Sequence, residues 1–408
     1  MGKIENIKTY DGQVLDNIFF RPMLTGKSAE ELGIKVMYNV PVPTTLHFWK
    51  RKGDVLQKYT SGGWSGGAPA DKYQKEVRLN KVKAEMAYSA DDYFSTVYEL
   101  ITGRPDVNLD DLSGTELEEA ETSLFRESIA ESVRATMWYG DVNRNELGTF
   151  DGFVKRILSD AGKDKDIVQM TYMAESGSCE WAEALLKKMW EESTEELHAL
   201  RSEGNLAFFV SSDIYNAYEE SLDGVAIEAA YLAKQMGREG LYFRGIPVVD
   251  VQMNGYKGMC DNLPHSFAIL TDRRNLALAV NTSDYPGTEV RMWYNPDQME
   301  NRQRAIFMAG CDYLLPELVT FAVAAPFKNF ENNYQNGELT ILAEIDESAT
   351  WFRECELSVR DITGKLEVDA EPLDGDGGSI EASFGVNGVK ESWLEFYSVD
   401  GWVIKHKL

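Results

Sequence analysis

Cysteine is scarce in this chain: four residues in 408 (Cys179, Cys260, Cys311, Cys355), far apart and without a CxxC pair. That spacing argues against a disulfide framework or a zinc knuckle and fits a reduced compartment. Histidine is equally sparse, and His47, His198, His265 and His406 show no HExxH or HxxxH spacing. His198 reads as a surface residue on a polar helix face. No apolar run approaches the roughly 20 residues a membrane helix needs. The first residues (MGKIENIKTYDGQ) hold no apolar signal core. Ile7 stands where a myristoylation motif starting at Gly2 needs Ser or Thr. The expectation is a chain made in the cytosol, with no membrane partner. Positive charge is also short: 41 Lys and Arg face 67 Asp and Glu, a net −26. Gripping phosphate takes clustered bases, so any nucleic acid near this protein is repelled more than held. A large net charge keeps free subunits soluble until specific contacts form.

Catalytic signatures are weak. Thr25-Gly26-Lys27-Ser28 ends like a P-loop, but Arg21 occupies the position that needs glycine, and Pro22 follows. No GxSxG elbow occurs, and Cys179 sits in a small-residue helix start with no activating neighbour. Paired acids (Asp91-Asp92, Asp110-Asp111, Glu191-Glu192 and others) fall at helix starts or on solvated faces. No catalytic, cofactor or metal residues are therefore expected.

The order of elements is more informative. Residues 1–40 read as an extended arm. From 41 to 88 the sequence reads as a long hairpin, rising through Thr45–Trp49 and descending through Lys75–Ala84 with period two. Its tip is glycine-rich and carries one tryptophan (Gly62, Gly63, Trp64, Gly66, Gly67). A helix is expected over 89–102. A longer one over 115–139 has Ser113 and Glu116 as a capping box and Gly140 at its end. Its stripe of Phe125, Ile129, Val133 and Met137 marks a structural spine about 35 Å long. A strand at 167–174, a second long helix at 179–203 and an alternating α/β passage follow, including a helix at 225–236. Residues 298–313 suit either helix or strand. Beyond Pro326, turn dipeptides such as Asn336-Gly337, Thr363-Gly364, Asn387-Gly388 and Asp400-Gly401 separate short alternating strands. This marks a separate, strongly acidic all-β module, a small sandwich.

The arm, glycine-tipped hairpin, spine helix and mixed domain resemble, in that order, major capsid proteins of the Hong Kong 97 type found in tailed phages and encapsulins. Local motifs carry the resemblance over roughly residues 15–325. Glu127–Asp141 (ESIAESVRATMWYGD) is similar to the spine-helix end, with Gly140 and Asp141 in place, and Phe150-Asp151-Gly152-Phe153 to the segment after it. Leu206–Tyr215 (LAFFVSSDIY) is similar to the entry of the axial domain, and Leu241–Val249 (LYFRGIPVV), with Gly245 and Pro247, to a strand within it. Ile269–Val280 (ILTDRRNLALAV) resembles a family turn through Thr271, Asn275 and Leu276, and Ala305–Phe321 the returning segment through Phe307 and Gly310.

The resemblance implies an α+β fold with an N-terminal arm (1–40), an extended loop (41–88), a peripheral domain with the spine helix (89–175), an axial domain with return strands (176–326) and the β-module (327–408). It implies a non-enzymatic subunit that assembles with itself into hexamers and pentamers. The shell would be the icosahedral capsid of a tailed phage, enclosing double-stranded DNA without reading its sequence. Scaffolding, portal and decoration proteins are the implied partners, and Gly62–Gly67 would lie over a neighbouring subunit. The module is either an exposed appendage or a clamp on a neighbour. An encapsulin-like compartment shares the fold. An acidic hydrolase with a carbohydrate-binding module is the reading from another class, supported by Trp351, Trp393 and Trp402.

Overall fold

The computed structural model describes residues 8–10, 29, 31–38, 44–51, 70–89, 116–161, 163, 166–174, 179–223, 240–281, 289–373, 375–376 and 379–408. The loop tip with Gly62, Gly63, Trp64, Gly66 and Gly67, the capping Ser113, and the helices expected at 89–102 and 225–236 lie outside these residues.

The first sheet is organised by one long strand, β13 (Glu300–Tyr313). The alternative left open for 298–313 is resolved as strand, because burial alternates residue by residue from Glu300 to Phe307. β5 (Asn80–Ser89) pairs with residues 300–309. On the opposite side β12 (Glu289–Asn295) pairs with 300–306 and β11 (Leu276–Asn281) with 308–313. The N-terminal chain straps this side: β1 (Lys8–Tyr10) joins β12, and β2 (Lys35–Tyr38) joins β11 in parallel.

The period-two run expected as the descending limb of the hairpin divides at Arg78-Leu79. β3 (Thr44–Arg51) and β4 (Ala70–Val77) form their own two-stranded sheet, whereas Asn80 onward belongs to β5 in the first sheet.

The helix α1 (Glu116–Tyr139) crosses the first sheet. Phe125, Ile129, Val133 and Met137 are all buried on it, as a stripe spaced near the helical repeat requires. Its last turn reaches the second sheet, where Trp138 packs against Phe153, Phe209 and Phe267 with ring centroids 5.5, 5.5 and 6.2 Å away. A fully buried ring of this size contributes about 2–3 kcal/mol.

The second sheet has strand order β6 (Val168–Tyr172), β14 (Val319–Ala324), β10 (Phe267–Asp272), β7 (Leu206–Val210), β9 (Ile246–Asp250), β8 (Leu241–Phe243). Both faces are covered, which explains why LAFFV and FAIL are unbroken apolar runs rather than alternating ones. Phe209, Phe267 and Phe321 face α1 and α2 (Phe153–Ala161), while Phe208, Ala268 and Leu270 face α3 (Glu180–Glu192) and α5 (Ser212–Asp223). The single helix expected over 179–203 breaks at Ser193. Thr194 caps a new helix, α4 (Glu195–Leu200), its Oγ1 accepting from the Leu197 N–H at 3.3 Å and donating to the Glu317 carbonyl at 2.7 Å. That second bond ties the break to the segment just before β14.

Residues from Phe327 onward form two four-stranded antiparallel sheets. One runs β15 (Phe327–Gln335), β16 (Glu338–Ile345), β20 (Ser379–Gly385), β19 (Gly375–Asp376). The other runs β18 (Leu366–Leu373), β17 (Phe352–Arg360), β21 (Glu391–Ser398), β22 (Val403–Lys407). Ile341, Leu357, Leu394 and Phe396 are buried in one shared core. At the β15–β16 turn Asn336 and Gly337 both take positive φ (54° and 84°), as a two-residue hairpin of this hand demands. The module docks on its own chain, where β22 lies against β6 and α2.

Candidate functional site

Three junctions position the parts that the sequence singles out. The first is the exit of α1. Gly140 ends the helix as expected, but for a different reason: its φ is not left-handed. Its N–H still donates to the Thr136 carbonyl at 2.8 Å, and its carbonyl accepts from the Gly152 N–H at 2.8 Å. A Cβ on Gly140 would sit 2.1 Å from the Phe150 carbonyl oxygen, and one on Gly152 2.6–2.7 Å from three backbone atoms of residues 136–140. Two backbones therefore touch here, and glycine is needed for room.

Around this crossing Asp141 is buried and heavily hydrogen-bonded. It receives Lys155 Nζ on Oδ1, the Asn143 N–H at 2.8 Å, and Asn262 Nδ2 on Oδ2 at 2.7 Å. Burial alone would raise the Asp141 carboxyl. The bonds from Lys155, Asn143 and Asn262 outweigh it and hold the group below its ordinary value. Two thiols complete the exit. Cys311 Sγ lies 3.5 Å from the Met137 carbonyl and 3.2 Å from that of Asp151, and Cys260 Sγ lies 3.7 Å from that of Tyr139. Burial pushes Cys260 up to about 12 and Cys311 well above its ordinary range, so both stay protonated donors. α1 has no basic residue in its last turn, and these thiols serve its terminal carbonyls instead. Nucleophilic use of either cysteine is thereby disfavoured.

The second junction is the root of the β3–β4 hairpin. Gly310 in β13 faces Arg78 so closely that a Cβ would lie 2.2 Å from the Arg78 carbonyl oxygen. Lys75 Nζ reaches Asp312 at 3.0 Å and sits 3.3 Å over the Tyr313 ring. Burial raises the Asp312 carboxyl, against the pull of Lys75 and of Arg156 at 3.8 Å. Asn80 Nδ2 donates to the Thr149 carbonyl at 3.0 Å.

The third junction is the β10–β11 turn. Thr271 Oγ1 donates to the Leu318 carbonyl at 2.6 Å. Asn275 Nδ2 donates to Thr271 Oγ1 at 3.2 Å and to the Leu315 carbonyl at 3.0 Å, while its Oδ1 accepts from the Leu315 N–H at 2.7 Å. Leu276 is fully buried beside it. Gly245 follows Arg244 in the β8–β9 turn with φ of 84° and 50°, and Pro247 sits in β9 opposite Tyr242. These residues serve packing and turns, and they lie in separate places rather than in one pocket.

A 460 Å³ groove between α1 and β5 is lined by Val82, Ala84, Phe125, Ile129, Val133 and Phe307, with the Lys83–Glu85 ion pair among its polar residues. No group of three or more metal-ligating side chains occurs among the described residues. His198 is half-buried at the surface: its ring stacks on Trp190 at 4.3 Å, and Nε2 lies 2.7 Å from the Trp190 carbonyl. Trp351 and Trp402, offered as carbohydrate-binding residues, are buried, their rings tilted 31° to each other with centroids 4.8 Å apart. Trp393 lies between Arg360 and Lys405, each about 6 Å from its ring.

No family model matches the chain, and no curated protein matches its sequence. Among solved structures it is similar to a chain of the satellite phage P4 procapsid that includes the size determination (Sid) protein. Identity there is 10%, the match covers 79% of this chain and 94% of that one, and the TM-score is 0.49. It is also similar to a capsid chain of a native GTA particle (14% identity, 74% and 91% covered, TM-score 0.47). A third is a capsid chain of Myoviridae phage XM1 (12%, 74% and 92%, TM-score 0.43).

Proposed function

We propose that this chain is a shell subunit of the Hong Kong 97 type, which assembles with itself into the icosahedral capsid of a tailed phage and encloses double-stranded DNA. The observation that carries this reading is the β3–β4 hairpin. Among the described residues neither strand pairs with any third strand, yet the hairpin's root is locked to β13 through Gly310, Lys75 and Asp312. A lone two-stranded hairpin is marginal in water. One eight-residue limb spans about 27 Å, and building such an arm makes physical sense when another copy covers it. On this reading the arm strands β1 and β2 strap the peripheral domain, α1 is the spine, the second sheet is the axial domain, and the last 82 residues, 327–408, are an immunoglobulin-like sandwich. Hexamers and pentamers form through the hairpin and the spine-bearing domain. Scaffold, portal and decoration proteins bind the shell, and the net charge of −26 keeps the packaged DNA from sticking.

Negative-stain microscopy of the purified chain tests this: shells, capsomers or tubes are expected, and a protein that stays monomeric at every concentration would overturn the reading. Trp64→Ala is expected to leave the monomer fold unchanged and to raise the assembly threshold, since an interface tryptophan contributes about 2 kcal/mol or more.

A further inference from the structure

We propose that His406 is an acid-sensitive latch holding the C-terminal module to the edge of the second sheet. β22 and β6 are each the edge strand of their own sheet and lie side by side, and no backbone ladder joins them among the described residues. The tie is made by side chains. Thr171 Oγ1 of β6 hydrogen-bonds Nδ1 of His406, and the imidazole sits between Phe330 and Phe396, with ring centroids 5.9 and 6.0 Å away. Leu394 of β21 is its ladder partner.

The surroundings favour a neutral ring. On α3, Lys188 adds positive potential. On α2, which also packs against β22, the charged groups are engaged elsewhere: Lys155 with Asp141 and Asp151, Arg156 near Asp312, and Asp160 with the Tyr313 hydroxyl. Lys405 and Lys407 alternate to the opposite face of β22, beside Glu395 (2.6 Å) and Glu391 (4.0 Å). On β15, Lys328 and Glu331 are exposed, and Phe330 is the neighbour that meets the ring. Burial, with Lys188 as the lesser cause, lowers the imidazole from 6.5 to about 4.

The sign follows from that depression. A released module binds a proton on His406 near pH 6.5, whereas the docked one does so near pH 4. Docking is therefore strongest above pH 6.5 and weakens as the pH falls towards 4. Release would bare the edges of β6 and β22, the kind of surface to which another strand adds. The latch does not depend on the shell reading.

Hydrogen–deuterium exchange of the full-length chain, corrected for intrinsic rates, tests it between pH 7.5 and 4.5. Amides of β6 and β22 are expected to lose protection by about tenfold at pH 5.5 and by more below it, on the scale of one pKa unit per decade, while β7 and β10 stay protected. His406→Gln can keep the bond to Thr171 without titrating, so its seam should be flat with pH. A wild-type seam insensitive to pH would overturn the proposal. So would a full response in His406→Gln.

Discussion

The exit of α1 and the seam of the C-terminal module are both joints of this chain, and they use different chemistry. At the exit of α1, backbone lies on backbone: Gly140 against Phe150, Gly152 against residues 136–140, with buried thiols on the last carbonyls. At the module seam, side chains meet side chains and carbonyls: Thr171 with His406, Asn262 with Asp400, and Thr350 with the Asp261 carbonyl. At the first junction nothing can be added or turned without moving backbone. Groups at the second can exchange their partners for water at little net cost. The two also differ in their response to acid. Asp141, held below its ordinary value, contributes stability that is present above pH 3.8 and is lost as the pH falls through its lowered pKa. His406 begins to lose its contribution at pH 6.5. A rigid joint and a releasable one stand side by side, and Asn262 touches both through Asp141 and Asp400.

The sharpest break of this contrast is Gly152→Ala. Three backbone atoms lie within 2.7 Å of the added carbon and none is the end of a flexible side chain. We expect a loss of about 3 kcal/mol, the upper end for overpacking, measured as a lowered midpoint in urea unfolding. Gly204→Ala is the control. Its φ of 75° is left-handed, but nothing lies within 4 Å, so it should cost about 1 kcal/mol. Equal losses at the two positions would mean that conformation, rather than close approach, is what the exit requires.

That distinction also marks how far the sequence could be read. The spine was legible because Phe125, Ile129, Val133 and Met137 repeat near the helical period. Asn336-Gly337 was legible because its turn has a strong local signature. Gly140 looked like a left-handed cap, since both a cap and a close approach demand glycine and only the position of Gly152 in space separates them. The limb after Lys75 read as one strand because nothing in the alternation marks the switch of sheet at Arg78-Leu79. The double role of Asn275 and the Thr171–His406 contact join residues far apart in the chain, and no local pattern encodes them.

A middle-sized effect is expected at the hairpin root. Lys75→Met leaves Asp312 buried, with Arg156 at 3.8 Å as its nearest cation. Removing one partner of such a pair costs about 3 kcal/mol when the pair is fully buried. Lys75 is partly exposed, so about 2 kcal/mol is the expectation. Adding Asp312→Asn removes the stranded charge and should recover part of the loss. Exchange should rise in β4 while α1 stays protected, because the root anchors the hairpin and not the spine.

The smallest expected change tests whether thiols contribute to the rigid joint. Cys311→Ala removes a donor facing the Met137 and Asp151 carbonyls and leaves a small void, for an expected loss of about 1–2 kcal/mol. Cys311→Ser restores an O–H at nearly the same place and should lose less, under about 1 kcal/mol. Urea midpoints of the two variants decide the matter. If serine recovers stability relative to alanine, the sulfur acts as a hydrogen-bond donor to the end of α1. If serine is no better than alanine, the sulfur only fills volume, and the exit is held by its glycines and by the Asp141 network alone.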